Sequence, residues 1–379
     1  MIGDDFAELK LFITGPILLR DEVRKAGLLP EFGHRDAENP KRFEPIMKNL
    51  MAIAGNPKGY TPVIFNGSGT NVLEASIRSL VSDSDTVLNV SVGAFGDLYH
   101  KLAVVNGKNA VQLKFPYGQA INLDKLEETL KKHKPDVVTF THNETATGVI
   151  NDVVAVCELI RTYGARPIVD AVSIFGGAPT MINESRPLMY CTSTQKSLGL
   201  PAGFGIGFIS EEAIRKAETV QNRGYTTDII AQMGKAKLNQ TLTTPNGTLA
   251  NQMCVQLDYI VNSETVRGRF QRHEKMRVIA HKWAGTIDGY ELFAQEGYRS
   301  PSLTTFKTPA YMTIDKLKEV KELMRSHGYL FDPGYGKINK ELAEQGESPI
   351  FRVGHMADIM PEMLEEYLEV LGRELRTFS

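Results

Sequence analysis

Tyr190 to Ile209 reads YCTSTQKSLGLPAGFGIGFI. A short apolar run, Leu188 to Cys191, breaks into a hydroxyl-rich turn, Thr192-Ser193-Thr194-Gln195, which presents Lys196; a small-residue strand, Gly203 to Ile209, follows. Lys196 is therefore expected on a turn between two strands. From Leu188 to Ser210 the only other ionisable residues are Tyr190 and Cys191. Partial burial in such surroundings lowers a lysine pKa and frees the amine to attack a carbonyl. A solvated loop lysine is the other reading, and the rest of the chain decides between them.

Outward from this turn, strands alternate with helices, the pattern of an α/β sheet. Towards the N-terminus the units are strand Pro62 to Phe65, helix Thr70 to Ser82, strand Thr86 to Val90, helix Phe95 to Val105 and strand Val111 to Phe115. Helix Leu123 to His133, strand Val137 to Thr141, helix Val153 to Tyr163 and strand Pro167 to Val172 complete the series. The strands are apolar without clean alternation, which predicts a mostly parallel sheet buried on both faces. Before them lie an arm, Leu9 to Phe43, with room for a short helix at Asp21 to Leu28, and a helical pattern from Lys41 to Ala54. Beyond the sheet, Asn246 to Trp283 reads as long helical sequence and Tyr290 onward as a smaller α+β portion. The expected division is an arm at 1–14, a large domain at 15–255 and a small one at 256–379.

Composition narrows the function classes. With 42% hydrophobic and 23% charged residues the chain is an ordinary globular protein, and 379 residues are long for a single core. A net charge of −2 with scattered basic residues argues against nucleic acid or an anionic membrane as main partner. No run approaches the roughly 18 apolar residues of a membrane span. The N-terminal MIGDDFAELK is acidic and has no signal-peptide pattern, and Cys157, Cys191 and Cys254 are isolated, so a reducing, cytoplasmic setting is expected.

Five further stretches carry chemistry. Asn66-Gly67-Ser68-Gly69-Thr70 joins a strand to a helix, and the N–H groups and dipole of a helix start suit a phosphate; Ser68 or Thr70 acting as a plain helix cap is the other reading. Neither G-x-x-x-x-G-K-[ST] nor G-x-G-x-x-G occurs. Asp170, in Val169-Asp170-Ala171-Val172-Ser173, ends a strand on the sheet edge where open α/β folds bind ligands. Thr141-His142-Asn143-Glu144-Thr145-Ala146-Thr147-Gly148 follows another strand. Its His142 and Glu144 have no accompanying metal-ligand set, so a hydroxyl-rich ligand loop is expected in preference to a metal site. Phe95, between small residues after a strand, suits stacking on a flat ring. Arg352, in Ile350-Phe351-Arg352-Val353-Gly354, interrupts an apolar strand and requires an anion, either a ligand carboxylate or an internal Asp or Glu.

The ordered set GSGT, AFG, HNETATG, VDAVS, STQK and FRVG resembles the class V aminotransferases among the fold-type-I pyridoxal-phosphate enzymes, most of all the alanine/serine–glyoxylate (serine–pyruvate) group. The resemblance spans nearly the whole chain. It implies a large domain with a mostly parallel seven-stranded sheet flanked by helices, plus a smaller C-terminal α+β domain. Pyridoxal 5'-phosphate would form a Schiff base with Lys196, Asp170 would pair with the ring nitrogen, and Phe95 would stack on the ring. Ser68, Gly69, Thr70 and Gln195 would hold the phosphate, Thr145 would face the ring hydroxyl, and Arg352 would take the substrate carboxylate. Gly15 resembles an arm glycine that closes over the substrate, while Gln240 and Thr243 resemble residues that a neighbouring subunit sends to the phosphate. A homodimer is therefore implied.

The activity implied is ping-pong transfer of an amino group from alanine or serine to glyoxylate or pyruvate. A 2-aminoethylphosphonate–pyruvate transaminase is the near rival, since HNETATG and VDAVSIFGG are similar to its motifs. A cysteine desulfurase-like lyase fits less well: Gln195 stands where those enzymes place a His, and no Cys follows Cys254.

Overall fold

The computed structural model describes residues 8–378. Its centre is a seven-stranded sheet in the order Tyr60–Asn66, Phe204–Ser210, Met189–Ser193, Arg166–Asp170, Val137–Thr141, Thr86–Ser91, Asn109–Lys114. Phe204–Ser210 runs antiparallel to both neighbours and all other pairings are parallel. The mostly parallel sheet expected from the apolar runs is thus present. Val137–Thr141 and Met189–Ser193 are buried at every residue, as strands covered on both faces must be.

Local chemistry sets the element boundaries. Helix Leu123–His133 begins where the Asn122 side chain accepts Lys125 N–H at 3.0 Å, and helix Val153–Thr162 where Asp152 accepts from Val154 and Ala155. Helix Gly69–Leu80 starts directly after the strand Tyr60–Asn66. The long helical stretch expected at 246–283 is two helices, Gly247–Asp258 and Val266–Ala284, separated by a π-helical turn at Tyr259–Ser263. Thr265, at φ 65°, restarts the second by accepting Gly268 N–H.

Two apolar cores form. The larger surrounds the seven-stranded sheet, with Phe140, Phe175, Phe204 and Phe208 among its buried rings. The second lies between the three-stranded antiparallel sheet Glu291–Leu292, Leu303–Lys307, Ile350–Gly354 and the helices Val266–Ala284, Ile314–Ser326 and Pro361–Arg376. The arm belongs with the second core. Lys10–Leu11 pairs parallel with Tyr329–Leu330, Phe12 stacks on Tyr367 with ring centroids 4.0 Å apart, and Gly354 N–H donates to Phe12 O at 2.8 Å. This carries the next arm residues, Thr14 and Gly15, across to Lys196. Residues 1–7 of the arm expected at 1–14 lie outside the described residues.

Candidate active site

The loops that leave the carboxyl ends of the sheet strands converge on a partly open cavity of about 150 Å³. Eight residues singled out in the sequence line it: Ser68, Gly69, Thr70, Phe95, Thr145, Asp170, Gln195 and Lys196. A wider surface depression of about 790 Å³ lies between residues 117–124 and Phe293–Tyr298, but Asp124 is its only carboxylate and it holds no cation. The smaller cavity is where the reactive groups meet.

Lys196 follows the strand Met189–Ser193 on the turn that leads to Phe204–Ser210. Burial lowers its pKa from 10.5 to about 8, with the nearby Arg352 charge acting in the same direction. Its amine donates to the carbonyl of Thr14. Gly15, next in the arm, has φ 121°, and a Cβ there would stand 2.7 Å from Lys196 Nζ. Glycine suits that backbone conformation, and a side chain there would also have to displace the end of Lys196.

Asp170 ends its strand with the carboxylate buried, accepting Val172 N–H at 2.9 Å. Burial pushes its pKa up to about 7 even with the lysine nearby, and among the described residues it forms no ion pair. A buried carboxylate in this state favours a cationic N–H partner. Around it, Asn143 Oδ1 and Gln195 Oε1 are buried acceptors with no partner. Ser68 caps helix Gly69–Leu80, its N–H donating to Asn71 Oδ1 at 3.0 Å and its carbonyl accepting Asn71 N–H, which leaves the N–H groups of Gly69 and Thr70 as those that no carbonyl of the helix satisfies. At Gly69 a Cβ would come 2.8 Å from Val172 Cγ2, so only a bare backbone leaves this corner open. A phosphate-bearing aromatic cation with a reactive carbonyl fits these groups, and pyridoxal phosphate is such a molecule.

Phe95 is held by a residue whose role the sequence did not reveal. Glu144, fully buried, accepts Phe95 N–H at 3.0 Å and Gly96 N–H at 3.1 Å through one oxygen and Ala146 N–H at 3.0 Å through the other. It thereby caps helix Ala94–Val105, while burial raises its pKa to about 7 against the pull of those N–H groups. His142 instead pairs with the Tyr190 hydroxyl at 2.9 Å. The described residues contain no His/Cys/Asp/Glu cluster able to hold a metal.

Arg352 adjoins the cavity without lining it. Its Nη1 donates to Thr145 O at 2.9 Å, and its Nη2 forms an ion pair with Asp332 at 3.0 Å. Asp332 also accepts from Thr14 N and Oγ1, at 3.3 and 3.1 Å. The only prior signal for Asp332 was its place in a Pro-Gly turn, Asp332-Pro333-Gly334, which reads as punctuation. Within one chain Gln240 and Thr243 do not line the cavity. Thr243 Oγ1 accepts from Asn66 Nδ2 at 2.7 Å, two residues before Ser68, and Gln240 N–H bonds to Lys235 O.

A family model described as Aminotransferase class-V matches residues 34–327. The chain belongs to the class V aminotransferases. A 2-aminoethylphosphonate–pyruvate transaminase of Vibrio cholerae is 26% identical over 369 residues, covering 95% of this chain and 96% of the relative. A serine–glyoxylate aminotransferase of Methylorubrum extorquens is 26% identical over 366 residues, covering 92% and 86%. The crystal structure of an alanine–glyoxylate aminotransferase from Nostoc sp. superposes with a TM-score of 0.89 at 25% identity, over 98% of this chain and 96% of that one. The class V aminotransferase described here therefore has the fold-type-I architecture, and its cofactor is pyridoxal phosphate.

Proposed function

We propose that this aminotransferase moves an amino group from alanine or serine to glyoxylate or pyruvate, in two half-reactions of a ping-pong cycle. The observation that carries this reading is the buried Arg352 guanidinium, tied to Thr145 O next to the cavity that Lys196 and Asp170 line. Such a group suits a small substrate's carboxylate. The relatives' names support both this reading and a second one, in which the donor is 2-aminoethylphosphonate.

Bound pyridoxal phosphate supplies the carbonyl that takes up the amino group and the ring that accepts electrons. Lys196 would hold the cofactor and, as a free amine, act as the base that moves the proton at the substrate Cα; an amine with a pKa of about 8 accepts and returns a proton near neutral pH. Asp170 would pair with the ring nitrogen and hold its proton there. Gly69, Thr70 and the helix start receive the phosphate, with Ser68 and Gln195 beside them. Phe95 and Thr145, which line the cavity, would hold the ring, Phe95 by stacking and Thr145 on its hydroxyl side, and Gly15 brings the arm against the Lys196 amine. Arg352 orients the carboxylate so that the Cα proton lies towards Lys196.

The assembly in this reading is a homodimer, with Gln240 and Thr243 offered to the neighbour's phosphate. Its support is that both are half-buried and lie outside the chain's own cavity, with Thr243 held by Asn66 two residues before Ser68. The cytoplasm is the proposed location. Cys157, Cys191 and Cys254 are all free thiols, and no described helix is long and apolar enough to cross a membrane.

The deciding experiment is the absorbance of the loaded enzyme with L-alanine, L-serine and 2-aminoethylphosphonate added in turn. Bleaching of the cofactor band by either amino acid supports the reading. A response to the phosphonate alone replaces it with the second.

A further inference from the structure

Arg352 is already partnered. Asp332 and Arg352 face each other across an antiparallel bridge, with Arg352 N–H on Asp332 O at 3.1 Å. Their side chains, 7% exposed for Asp332 and 9% for Arg352, are 3.0 Å apart. The carboxylate cannot swing aside easily when a ligand arrives, because Thr14 N, Thr14 Oγ1 and Gly334 N also hold it, the last at 3.0 Å. Of the five guanidinium N–H groups, one on Nη2 goes to Asp332 and one on Nη1 to Thr145 O, which leaves a second N–H on each and the buried, unpartnered Nε.

A fixed internal carboxylate changes what this arginine binds. An unpaired buried guanidinium offers a full positive charge to any anion. Here that charge is cancelled before the ligand arrives. One substrate carboxylate on the guanidinium's remaining N–H groups brings the sum of Arg352, Asp332 and ligand to a single negative charge, with Lys196 close by. A second negative charge would sit against Asp332 in water-poor surroundings, and Lys196 is the only cationic side chain lining the cavity.

We propose that Asp332 sets the substrate class: it restricts the site to amino and 2-oxo acids whose anionic end carries one charge, and turns away dicarboxylates and phosphonates. This rests on the reading of Arg352 as the carboxylate anchor. It assigns the discrimination to a residue that touches Arg352 and the arm and performs no chemistry itself.

The test is kcat/KM of the loaded wild-type enzyme for L-alanine, L-aspartate and 2-aminoethylphosphonate. The expectation is that alanine leads by about 100-fold or more, since like charges brought together in a site cost several kcal/mol. Wild type that uses L-aspartate or the phosphonate as well as L-alanine overturns the proposal without any variant. Asp332→Asn keeps the shape and an acceptor for Thr14 but removes the charge. It should raise the aspartate-to-alanine ratio about tenfold, through KM with kcat little changed. A cofactor-loaded Asp332→Asn enzyme with an unchanged ratio overturns the proposal. Arg352→Lys separates the two claims. If it raises KM for L-alanine while Asp332→Asn leaves the ratio alone, only the Asp332 proposal falls. If it leaves that KM unchanged, or if wild type is inert to both L-alanine and L-serine, the anchor reading falls and takes the proposal with it.

Discussion

The amine of Lys196 donates to the main-chain carbonyl of Thr14, in an arm anchored to the second core by Lys10–Leu11 and Phe12. A neutral amine keeps this contact and an ammonium must also bear the desolvation, which is why its pKa falls to about 8 from 10.5. Competitive labelling of the cofactor-free protein with acetic anhydride, mapped by mass spectrometry, should give a midpoint near 8 at Lys196. A midpoint near 10.5 would refute the burial argument. The linkage has a fixed sign. Between about 8 and 10.5 the unfolded chain holds the proton that the folded one has lost, so this lysine's contribution to stability rises with pH across that window.

Asp170 acts in the opposite charge sense. Its folded pKa of about 7 lies above the ordinary 3.8, so its ionised form is disfavoured by the fold and weighs against stability once pH passes through that interval. Asp170→Asn should therefore stabilise the cofactor-free protein above pH 7, with the gain gone below about pH 4. The same variant should lose at least about 100-fold in kcat, the scale of removing a preorganised electrostatic partner. Thermal melts across pH and steady-state rates check the two halves.

Glu144→Ala would leave the N–H groups of Phe95, Gly96 and Ala146 without their acceptor. Denaturant unfolding should show a loss of about 2 to 4 kcal/mol, from a lost helix cap and buried unpaired donors. Cofactor affinity should fall as well, because Phe95 rides on the first turn of that helix.

What the chain announced in its sequence, and what it did not, follows from the range of the interactions. Helix Leu123–His133 and strand Val137–Thr141 are found at the expected boundaries, since Asn122 caps locally and the strand is a plain apolar run. Asp170 ends a strand and Lys196 follows one on a turn, as the apolar runs before them implied, while Phe95 stands on the first turn of helix Ala94–Val105. The interruption at Tyr259–Ser263 was not legible, since no Gly or Pro marks it and the apolar pattern runs through. Asp332 escaped notice for a different reason. Its partners Thr14 and Arg352 are 318 and 20 residues away, and its function depends on a pairing of the arm with Tyr329–Leu330 that no local pattern encodes. Glu144 was visible as an acid in a loop, but only the fold shows it reaching back 49 residues to Phe95.

Gly15→Ala places a methyl group 2.7 Å from Lys196 Nζ on a backbone at φ 121°. The arm's anchor at Phe12 and Tyr367 is untouched. The variant should fold at a cost of roughly 1 to 3 kcal/mol, the range for a side chain forced into that backbone region. Cofactor uptake, followed by absorbance, should slow measurably. Wild-type uptake in Gly15→Ala would mean the arm does not lie over the lysine.

The central claim is that Lys196 is where the cofactor is covalently held. Reduction of the loaded enzyme with borohydride, followed by peptide mapping, tests it most directly. The pyridoxyl mass is predicted on Lys196 and absent from Lys196→Ala. A label on any other lysine, or one that survives in Lys196→Ala, would contradict the account.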